Sequence, residues 1–450
     1  MTKTPGYVVD DKFPDVIEYL DKAGWTACPH HTYPNCMLRY TNYVKIQWSY
    51  VKPHQVINHL QHAILLSKKH ELLRHLEIRQ GVYEFLPRST TTVDAWFPMF
   101  VYAQALLVLK NPSTYAANLP AARCIAHEIR RLNDPSRRKH GLILMYESFV
   151  TSHADTIATL ISATRTPFEP VPPHAPDDDA LLTHLEACDP QFHFVSTRNL
   201  WIAKPTGLSQ GRGIQILSTP KQVQAYMADA QLKAVVLQQY VERPLLVLGR
   251  KFDIRQWVLV TATAPLTIYW HRHCYLRFSS KPYSVTHDGD LDDKFIHLCN
   301  NSIQKTAPNA GNDHPDIPQH MWSLDRFLLH LSQVGGRDRW DSATLPAMQH
   351  AAIEAILSVQ SNLTRVGRGF EWLGLDFILD ERLHPWLLEV NVSPDVSHST
   401  STTADLVPQA TRDLLDLVLP TDQVTQRDSR TTHDNVWTLL YHQHVPQSGQ

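Results

Sequence analysis

Two apolar stretches near the C-terminal end carry three polar side chains in a pattern typical of a β-hairpin. Residues 374–379 read Gly-Leu-Asp-Phe-Ile-Leu, and residues 385–394 read Pro-Trp-Leu-Leu-Glu-Val-Asn-Val-Ser-Pro. Because side chains alternate along a strand, Glu389 and Asn391 project from the same face. An antiparallel register with Asp376 opposite Glu389 leaves four residues for the turn, a length that hairpins commonly use. The pattern therefore predicts three oxygen ligands on one apolar surface.

These three side chains suit a magnesium ion. Carboxylate and amide oxygens are hard ligands, and Mg²⁺ prefers oxygen donors while it keeps several waters, as when it carries the phosphates of a nucleotide. Acidic side chains are rarely buried without a partner, which favours a ligand site. An ordinary buried strand with a solvated end is the alternative that these residues alone leave open.

Length and charge narrow the class of protein. A chain of 450 residues with 43% hydrophobic content can bury a sizeable core and form two or three lobes. The net charge of −2 argues against nucleic acid as a partner. The longest apolar runs, residues 99–109 and 257–270, are too short or too polar to span a bilayer. No apolar signal segment opens the chain, so we expect a cytosolic protein without membrane insertion.

The cysteines do not form a disulfide or metal framework. They are scattered without paired spacing, which fits reduced thiols in a reducing compartment. The closest approach to a zinc motif is the run from Cys28 through His30 and His31 to Cys36. This run lacks the second paired element of such sites. The spacing therefore favours a simple loop.

Hydrophobic periodicity indicates an α+β chain. It predicts helices at residues 55–76, 98–110, 121–132, 142–162, 323–331, 347–360 and 405–419, and strands at residues 199–203, 213–217, 234–239, 253–261 and 266–270. The first of these helices would present a basic face with Lys68, Lys69 and Arg74. A run rich in proline and aspartate, residues 166–179, predicts an exposed loop. The last thirty residues, 421–450, are polar and predict a partly ordered tail.

A glycine-rich loop follows the strand predicted at residues 199–203. Lys204 would stand at the strand end, and Gly211, Arg212 and Gly213 lie in the loop. Backbone N–H groups of such a loop can approach phosphate oxygens while the lysine adds a point charge. The spacing is not that of a P-loop. A flexible hairpin without a ligand is an equally good interpretation of this loop alone.

The next strand ends in polar residues, as an adenine-binding strand would. Gln238, Gln239, Tyr240 and Val241 follow an apolar run, and an adenine base needs apolar faces and a few hydrogen bonds at its edge. A simple buried strand is the alternative.

The strand after it carries alternating charges. Lys251, Asp253 and Arg255 share one face of the run at residues 250–257. They form either a solvated edge or a charged wall that faces an anionic reaction centre.

Two later pieces fit the same site. Arg277 stands among apolar residues, and Asn300 lies in the run His-Leu-Cys-Asn-Asn-Ser. The planar fork of arginine binds two oxygens of a carboxylate or acyl phosphate at once, although Arg277 could equally form a structural salt bridge. An ATP-dependent, carboxylate-activating ligase requires four elements: a lysine that binds phosphate, a strand that binds adenine, a strand with charged side chains, and ligands for magnesium. The sequence contains a candidate for each of them.

These motifs, in this order from about residue 195 to residue 400, resemble the tubulin tyrosine ligase-like family. Residues 240–246 and 297–305 look most similar to the tubulin monoglycylases within it. The resemblance implies an ATP-grasp fold with antiparallel sheets and two or three lobes, in which ATP lies between the central and C-terminal lobes. We expect an N-terminal lobe at residues 1–88, a central lobe at 89–240, a C-terminal lobe at 241–420 and the tail beyond.

The resemblance also implies a role for each matching residue. Lys204 and the loop of Gly211, Arg212 and Gly213 would bind phosphate; Gln238, Gln239, Tyr240 and Val241 would line the adenine slot; Lys251 and Asp253 would lie near the nucleotide; Lys251, Arg255, Arg277 and Asn300 would be catalytic; and Asp376, Glu389 and Asn391 would hold the metal. The implied cofactors are ATP and Mg²⁺, with Mn²⁺ as an alternative cation.

The function expected from the resemblance is tubulin monoglycylation. A glutamate side chain in a tubulin tail would attack ATP to give an acyl phosphate, and the amine of glycine would then form an isopeptide bond. Such an enzyme would be a monomer that acts in the cytoplasm on microtubules, in a cilium or flagellar axoneme. Three alternatives stay open: a polyglutamylase or tyrosine ligase of the same family, a non-catalytic microtubule-binding module that uses the basic helix, and an unrelated ATP-grasp enzyme that makes a dipeptide.

Overall fold

A computed structural model describes most of the chain. It covers residues 4–33, 35–79, 81–132, 150–162, 176–208, 211–229, 231–232, 234–307, 314–419 and 434–444. Contacts divide the chain into two compact units. Unit 1 comprises Met1–Arg79, Leu246–Pro282 and Cys299–Gln450, and unit 2 comprises Gln80–Leu245 and Tyr283–Leu298. The lobe boundaries expected from the resemblance stay predictions.

The strands within the described ranges are distributed from residue 6 to residue 442. They are β1 (Gly6–Val9), β2 (Thr26–Ala27), β3 (Cys36–Tyr40), β4 (Val56–Ile57), β5 (Ser89–Thr90), β6 (Trp201–Pro205), β7 (Gln215–Leu217), β8 (Val235–Gln239), β9 (Leu246–Val247), β10 (Arg250–Thr263), β11 (Leu266–His271), β12 (Tyr275–Phe278), β13 (Met321–Ser323), β14 (Arg368–Gly369), β15 (Glu371–Leu379), β16 (Pro385–Val392) and β17 (Trp437–His442).

The helices are concentrated in the middle of the chain and near its C-terminal end. They are α1 (Pro14–Lys22), α2 (Ile64–Ser67), α3 (Lys69–Leu76), α4 (Val93–Lys110), α5 (Leu119–Leu132), α6 (Ala154–Ile161), α7 (Pro176–Cys188), α8 (Pro220–Met227), α9 (Asp288–Leu291), α10 (Lys294–His297), α11 (Asn301–Gln304), α12 (Leu324–Gln333), α13 (Arg337–Arg339), α14 (Leu345–Val359) and α15 (Ser401–Val418); a π-helix, Trp340–Thr344, leads into α14. The α+β class is thereby confirmed.

The N-terminal sheet of unit 1 is parallel, which corrects the expectation that the sheets would be antiparallel. Its order is β14-β4-β3-β1-β2, and all of its pairs are parallel. Helix α1 connects β1 to β2, and a strand–helix–strand connection places the two strands parallel. Buried Val16 and Leu20 of α1 pack in one core with Val407 and Leu414 of α15.

The helix predicted at residues 55–76 is wrong in its first half. Val56–Ile57 forms β4 between β3 and β14, and helix begins only at Ile64. Two β-branched residues that lie fully buried between neighbouring strands suit a sheet, and this tertiary pairing overrides the helical period. The basic residues Lys69 and Arg74 do lie on a helix, α3.

The second sheet of unit 1 is built around β10, a strand of 14 residues. On one edge β10 pairs with β12 and then β11, and on the other edge with β15; β16 continues beyond β15. Every pair in this sheet is antiparallel, as expected. Strand β17 joins the edge of β11, so the described part of the predicted tail includes a strand.

Unit 2 contains a four-stranded antiparallel sheet and a helical core. The sheet order is β5-β8-β6-β7. Helix α4 is the one described helix that is long and apolar enough to cross a membrane, and 72% of it is buried inside the protein, as in a core helix. Its buried face packs against α5, α6 and α7.

Helix α7 corrects the predicted loop at residues 166–179. It begins at Pro176, where a proline needs no partner for its missing N–H. The aspartates that follow lie in its first turn, where the helix dipole favours negative charge. Asp178 is buried and pairs with Arg123 of α5 at 2.6–2.7 Å. Residues 166–175, and residues 142–149 of the predicted helix at 142–162, lie outside the described part.

Burial of His271 at the end of β11 leads to a prediction about acid stability. The ring is 1% exposed, packs between Trp257 and Trp437, and donates from Nδ1 to the carbonyl oxygen of His273 at 2.7 Å. Burial lowers the pKa of His271 to about 3. Because the unfolded chain binds this proton near pH 6.5, stability is lost as the pH falls below that value, by about 1.5–2 kcal/mol between pH 6.5 and pH 5.

The test compares wild type with His271→Asn in urea unfolding at pH 6.5 and pH 5, followed by tryptophan fluorescence. Asparagine retains a donor near the position of Nδ1 but does not titrate. We expect the variant to lose less stability between the two pH values than wild type. An equal loss in both proteins would show that other groups cause the acid sensitivity.

Candidate active site

Strand register in unit 1 brings the predicted charged residues into one row. In β10, Asp253 lies opposite Arg277 of β12, and Arg255 lies opposite Asp376 of β15. Asp376 in turn lies opposite Glu389 of β16. The register predicted for the hairpin is confirmed, with a bulge after Asp376. Residues far apart in sequence thus meet across four adjacent strands.

Two arginines and two aspartates form a continuous ionic network. Arg277 binds both carboxylate oxygens of Asp253, at 2.6 and 2.8 Å, and also reaches Asp376 Oδ2 at 2.9 Å. Arg255 binds the same Asp376 through Nε, and through Nη2 at 3.1 Å. All four side chains are buried, with 2–6% exposure. Two positive and two negative charges balance in a site where an unpaired charge would be costly.

This network favours the charged forms of Asp376 and Arg277, whereas burial raises the pKa of Asp253. Burial alone would raise the pKa of Asp376, but the two guanidiniums outweigh it and hold that pKa well below the usual range. Burial likewise opposes the charge of Arg277, and its two carboxylate partners raise its pKa well above the ordinary value. Asp376 and Arg277 are therefore each favoured in the charged form.

Lys251 is the buried cation at the start of the same strand face. Burial lowers the pKa of Lys251 to about 8, against the opposite effect of nearby Cys299 and Asp253. The Cys299 thiol is itself buried, and burial raises its pKa to about 12. A lysine of this kind changes its charge in the range in which enzymes work. Asn300, next to Cys299, forms the N-cap of α11.

The three predicted metal ligands lie together. Asn391 Nδ2 is 3.3 Å from Asp376 Oδ2 and 3.4 Å from Glu389 Oε1. The second carboxylate oxygen of Glu389 binds Lys69 Nζ of α3 at 3.1 Å, and both side chains are about one fifth exposed. No group of three or more histidine, cysteine, aspartate or glutamate side chains suited to a metal occurs in the described ranges; the trio here consists of two carboxylates and one amide.

Lys69 and Gly374 also contact residues of this group. The sequence analysis did not select either of them as a site residue. The sequence placed Lys69 on a basic helix face, and only the fold puts it on Glu389. A Cβ on Gly374 of β15 would lie 2.9 Å from Pro394 Cβ and 3.1 Å from Arg255 Cδ. The absence of a side chain at this position lets Arg255 lie flat across the strand. A glycine inside a strand often marks such a close approach, which is the signal in the sequence.

The predicted nucleotide residues of unit 2 gather on its small sheet. Lys204 of β6 is buried and donates from Nζ to Gln238 Oε1 of β8 at 2.6 Å. Gln238 Nε2 in turn donates to Ser89 Oγ of β5 at 2.9 Å. Gln239 is held by Arg88, whose Nη1 donates to Gln239 Oε1 at 3.2 Å. Ser89 and Arg88 contribute to the group from a segment that the motifs did not include.

Tyr240 and Val241 follow β8 and are buried. The Tyr240 hydroxyl donates to His297 Nδ1 at 2.9 Å, because His297 Nε2 donates to the carbonyl oxygen of Asp290 at 2.8 Å. This contact ties the end of β8 to α10. The buried carboxylate of Glu242, next in the chain, accepts backbone N–H groups of Thr197, Arg198 and Leu200 at 3.0–3.2 Å. It anchors the segment that leads into β6.

The described part of the glycine loop has a left-handed backbone at two positions. Gly211 and Gly213 have φ of 71° and 73°, in the left-handed region that favours glycine. The Gly213 carbonyl accepts a hydrogen bond from the Tyr226 hydroxyl. Arg212 lies between the two glycines and is exposed. Ser209 and Gln210 of this loop lie outside the described residues.

Comparison with known proteins gives a consistent result. Residues 138–427 match the model of the tubulin-tyrosine ligase family. The human protein named tubulin monoglycylase TTLL3 is 38% identical over 278 residues, which cover 59% of this chain and 34% of the relative. Its Danio rerio namesake is 39% identical over 58% of this chain and 34% of its own length. Drosophila melanogaster tubulin glycylase 3A is 36% identical over 59% of this chain and 26% of its own length. The chain therefore spans about a third or less of these relatives.

Gly374→Ala tests the packing of the site. The new methyl group must displace Pro394 or Arg255, because contacts of 2.9–3.1 Å are shorter than carbon atoms tolerate. We expect unfolding in urea to show a loss of about 1–3 kcal/mol, as for other overpacked positions. Gly289→Ala is the control, since its Cβ would meet nothing within 4 Å. Equal stability of the two variants would contradict the close approach of Arg255 to β15.

Proposed function

Because the chain belongs to the tubulin-tyrosine ligase family, we propose that it is an ATP-dependent ligase that adds glycine to glutamate side chains of tubulin tails through an isopeptide bond. The observation that carries the reaction type is the buried network of Arg255, Arg277, Asp253 and Asp376, which holds two guanidiniums in fixed positions beside a set of metal-type oxygen ligands. The names of the relatives support glycine as the added amino acid.

The chemistry begins with activation of a carboxylate. The glutamate side chain of the acceptor attacks the γ-phosphorus of ATP, which gives an acyl phosphate and ADP. The amine of glycine then attacks the acyl carbon, a C–N bond forms, and phosphate leaves. Arg255 and Arg277 stabilise the anionic tetrahedral intermediate. Their aspartate partners hold both guanidiniums in place before the reaction, so little reorganisation is needed when charge develops.

The residues of the hairpin fit a magnesium ion. The amide of Asn391 lies within 3.4 Å of the carboxylates of both Asp376 and Glu389, and the amide of asparagine can turn its oxygen toward a cation. This is the hard, oxygen-only set that Mg²⁺ or Mn²⁺ prefers. When bound, the ion neutralises phosphate oxygens during phosphoryl transfer. Lys69 balances the charge of Glu389 on its other oxygen.

The sheet of unit 2 supplies the contacts for the nucleotide. Gln238, Gln239, Tyr240 and Val241 lie at the end of an apolar strand and would line the adenine slot, while Lys204 and the loop of Gly211, Arg212 and Gly213 would bind phosphate. Lys204 is already oriented by Gln238, which reduces the side-chain entropy lost on binding. Lys251 and Asp253 would lie near the nucleotide and the incoming substrates, with Asn300 close to the activated carboxylate. The ATP-grasp fold is part of the same proposal.

The partners follow from this reaction. The proposed acceptors are tubulin tails on microtubules, and glycine is the second substrate. A monomer that works on the cytoskeleton, in a cilium or flagellar axoneme, is the setting that such a substrate implies. The choice of glycine over glutamate or tyrosine rests on the relatives and on the resemblance at residues 297–305, where His297 is tied to Tyr240.

Intact-mass analysis of tubulin tails tests the reaction. Tubulin is incubated with the chain, ATP, Mg²⁺ and glycine, glutamate or tyrosine in separate reactions. We expect a mass increase only with glycine, and a rate at least about 100-fold lower for Glu389→Gln, because a ligand carboxylate is lost. The matched control is Glu381→Gln in the turn of the same hairpin, which should leave the rate unchanged.

Other results would reject the proposal in distinct ways. An increase with glutamate or tyrosine would assign a different ligase of the same family. Tubulin binding without any mass increase, independent of ATP, would indicate a binding module. Full activity of Glu389→Gln at ordinary Mg²⁺ would reject the metal site.

The lowered pKa of Lys251 leads to a prediction about how kcat/KM for ATP depends on pH. Its pKa is lowered to about 8, so the side chain is charged below pH 8 and loses its charge as the pH rises. If this charge binds phosphate, kcat/KM for ATP falls about tenfold between pH 7 and pH 9. Lys251→Arg keeps the charge over this range, and its profile should be flat there. The same decline in both proteins would show that another group titrates.

A further inference from the structure

We infer that His59, a residue outside the motifs of the site, is a positioning residue that fixes the hairpin β15–β16 and with it Asn391. The inference rests on the proposed function, since it takes Asn391 to be a metal ligand. Its basis is a buried cluster in which one imidazole touches both the beginning and the end of the hairpin. The ring nitrogens of His59 contact Glu371 at the beginning of β15 and Ser393 directly after β16.

The first contact is with the beginning of β15. His59 Nδ1 lies 2.8 Å from Glu371 Oε1, and the two side chains are 2% and 1% exposed. The other carboxylate oxygen, Glu371 Oε2, accepts the backbone N–H of Leu60 at 2.8 Å. Both oxygens of Glu371 are therefore bound to two consecutive residues of the loop after β4. A buried carboxylate held at both oxygens has little freedom to move.

The second contact is with the end of β16. His59 Nε2 lies 3.3 Å from Ser393 Oγ, one residue beyond β16 and two beyond Asn391. Ser393 has φ of 58°, a left-handed conformation that a residue with a side chain rarely adopts without support from its surroundings. The contact with His59 provides such support at the position where the chain leaves the metal-type ligands.

The N-terminal sheet makes the cluster rigid. Strand β14 pairs with β4, and the Phe370 N–H donates to the Ile57 carbonyl at 2.9 Å. A Cβ on Gly369 would lie 2.8 Å from the carbonyl oxygen of His59, so the two backbones are in close contact. The parallel sheet therefore carries His59 to the junction at which the chain passes from β14 into β15. Through this junction and His59, the N-terminal sheet positions the two ends of the hairpin.

Two other interpretations of the cluster are weaker. Serine, histidine and glutamate form nucleophilic triads in hydrolases, but here the Thr41 carbonyl oxygen lies 3.0 Å from His59 Nε2 and competes for that nitrogen. A purely structural role would explain the burial. It would not explain why the contacts fall on a strained residue directly after the ligand strand. Second-sphere partners that orient metal ligands commonly change metal affinity by about 10- to 100-fold when they are replaced.

The experiment measures Mn²⁺ binding to the full chain from the loss of the free-ion EPR signal. His59→Asn keeps a donor near the position of Nδ1 for Glu371 but cannot reach Ser393. Ser393→Ala removes one hydroxyl and keeps the rest of the cluster. We expect both variants to bind Mn²⁺ about 10-fold more weakly than wild type, and Asn391→Ala to bind at least as weakly. In activity assays, the apparent KM for Mg²⁺ should rise more than kcat falls.

The matched control is His271→Asn, the same substitution at a histidine of unit 1 that is equally buried and forms its side-chain hydrogen bonds with His273 rather than with the hairpin. It should lose stability without any change in Mn²⁺ affinity. If His59→Asn fails to fold, Ser393→Ala alone decides, because it removes a single partly buried hydroxyl.

The outcomes separate this inference from the proposed function. One outcome is that His59→Asn and Ser393→Ala bind Mn²⁺ as tightly as wild type while Asn391→Ala binds it weakly. This result would overturn the role of His59 and leave the metal site intact. Wild-type affinity in Asn391→Ala would overturn the metal site and the inference that rests on it. A loss of affinity in His271→Asn equal to that in His59→Asn would reduce His59 to a structural residue.

Discussion

The candidate site depends on how β10 pairs with both of its neighbours. Arg255 and Asp253 alternate along one face of this strand, and antiparallel pairing places an ion of opposite charge beside each of them. The resulting network is buried, balanced in charge and held by bidentate contacts. Removal of one member would leave an uncompensated charge in the core, which costs more than the pair itself contributes. The same contacts that satisfy the fold therefore keep two guanidiniums fixed, as the proposed stabilisation of an anionic intermediate requires.

The hairpin that carries the oxygen ligands is held from several sides. Asp376 belongs to the network, and Glu389 pairs with Lys69 from α3. Gly374 gives Arg255 space to cross the strand. His59 binds both the residue that begins β15 and the residue that follows β16. Carboxylates that would repel one another are thus kept close by cations and by an amide, an arrangement that can accept a divalent ion without large movement of the backbone.

Much of the local structure could be predicted because it depends on short-range pattern. Alternation of polar and apolar residues gave the strands that carry Lys204, Lys251 and Glu389, and a four-residue turn was sufficient to predict the register of β15 with β16. Prediction failed where contacts with distant segments of the chain determine the secondary structure or the burial of a residue. Val56 and Ile57 fit a helical period, yet they are paired between two other strands. The aspartates at residues 177–179 suggested an exposed loop, yet Asp178 is buried because Arg123 lies beside it.

The sequence by itself determined the kind of chemistry: the types of side chain, their order and their positions on strand faces, together with the family resemblance that points to tubulin and glycine. It also determined that Asp376 and Glu389 would be neighbours, since a short turn joins their strands. Only the tertiary structure decided which charges meet. Arg255 and Asp376 are 121 residues apart in the chain, and His59 and Ser393 are 334 residues apart. Contacts at such separations are set by strand pairing and by the packing of a whole unit, because no local periodicity specifies which strand becomes the neighbour of which.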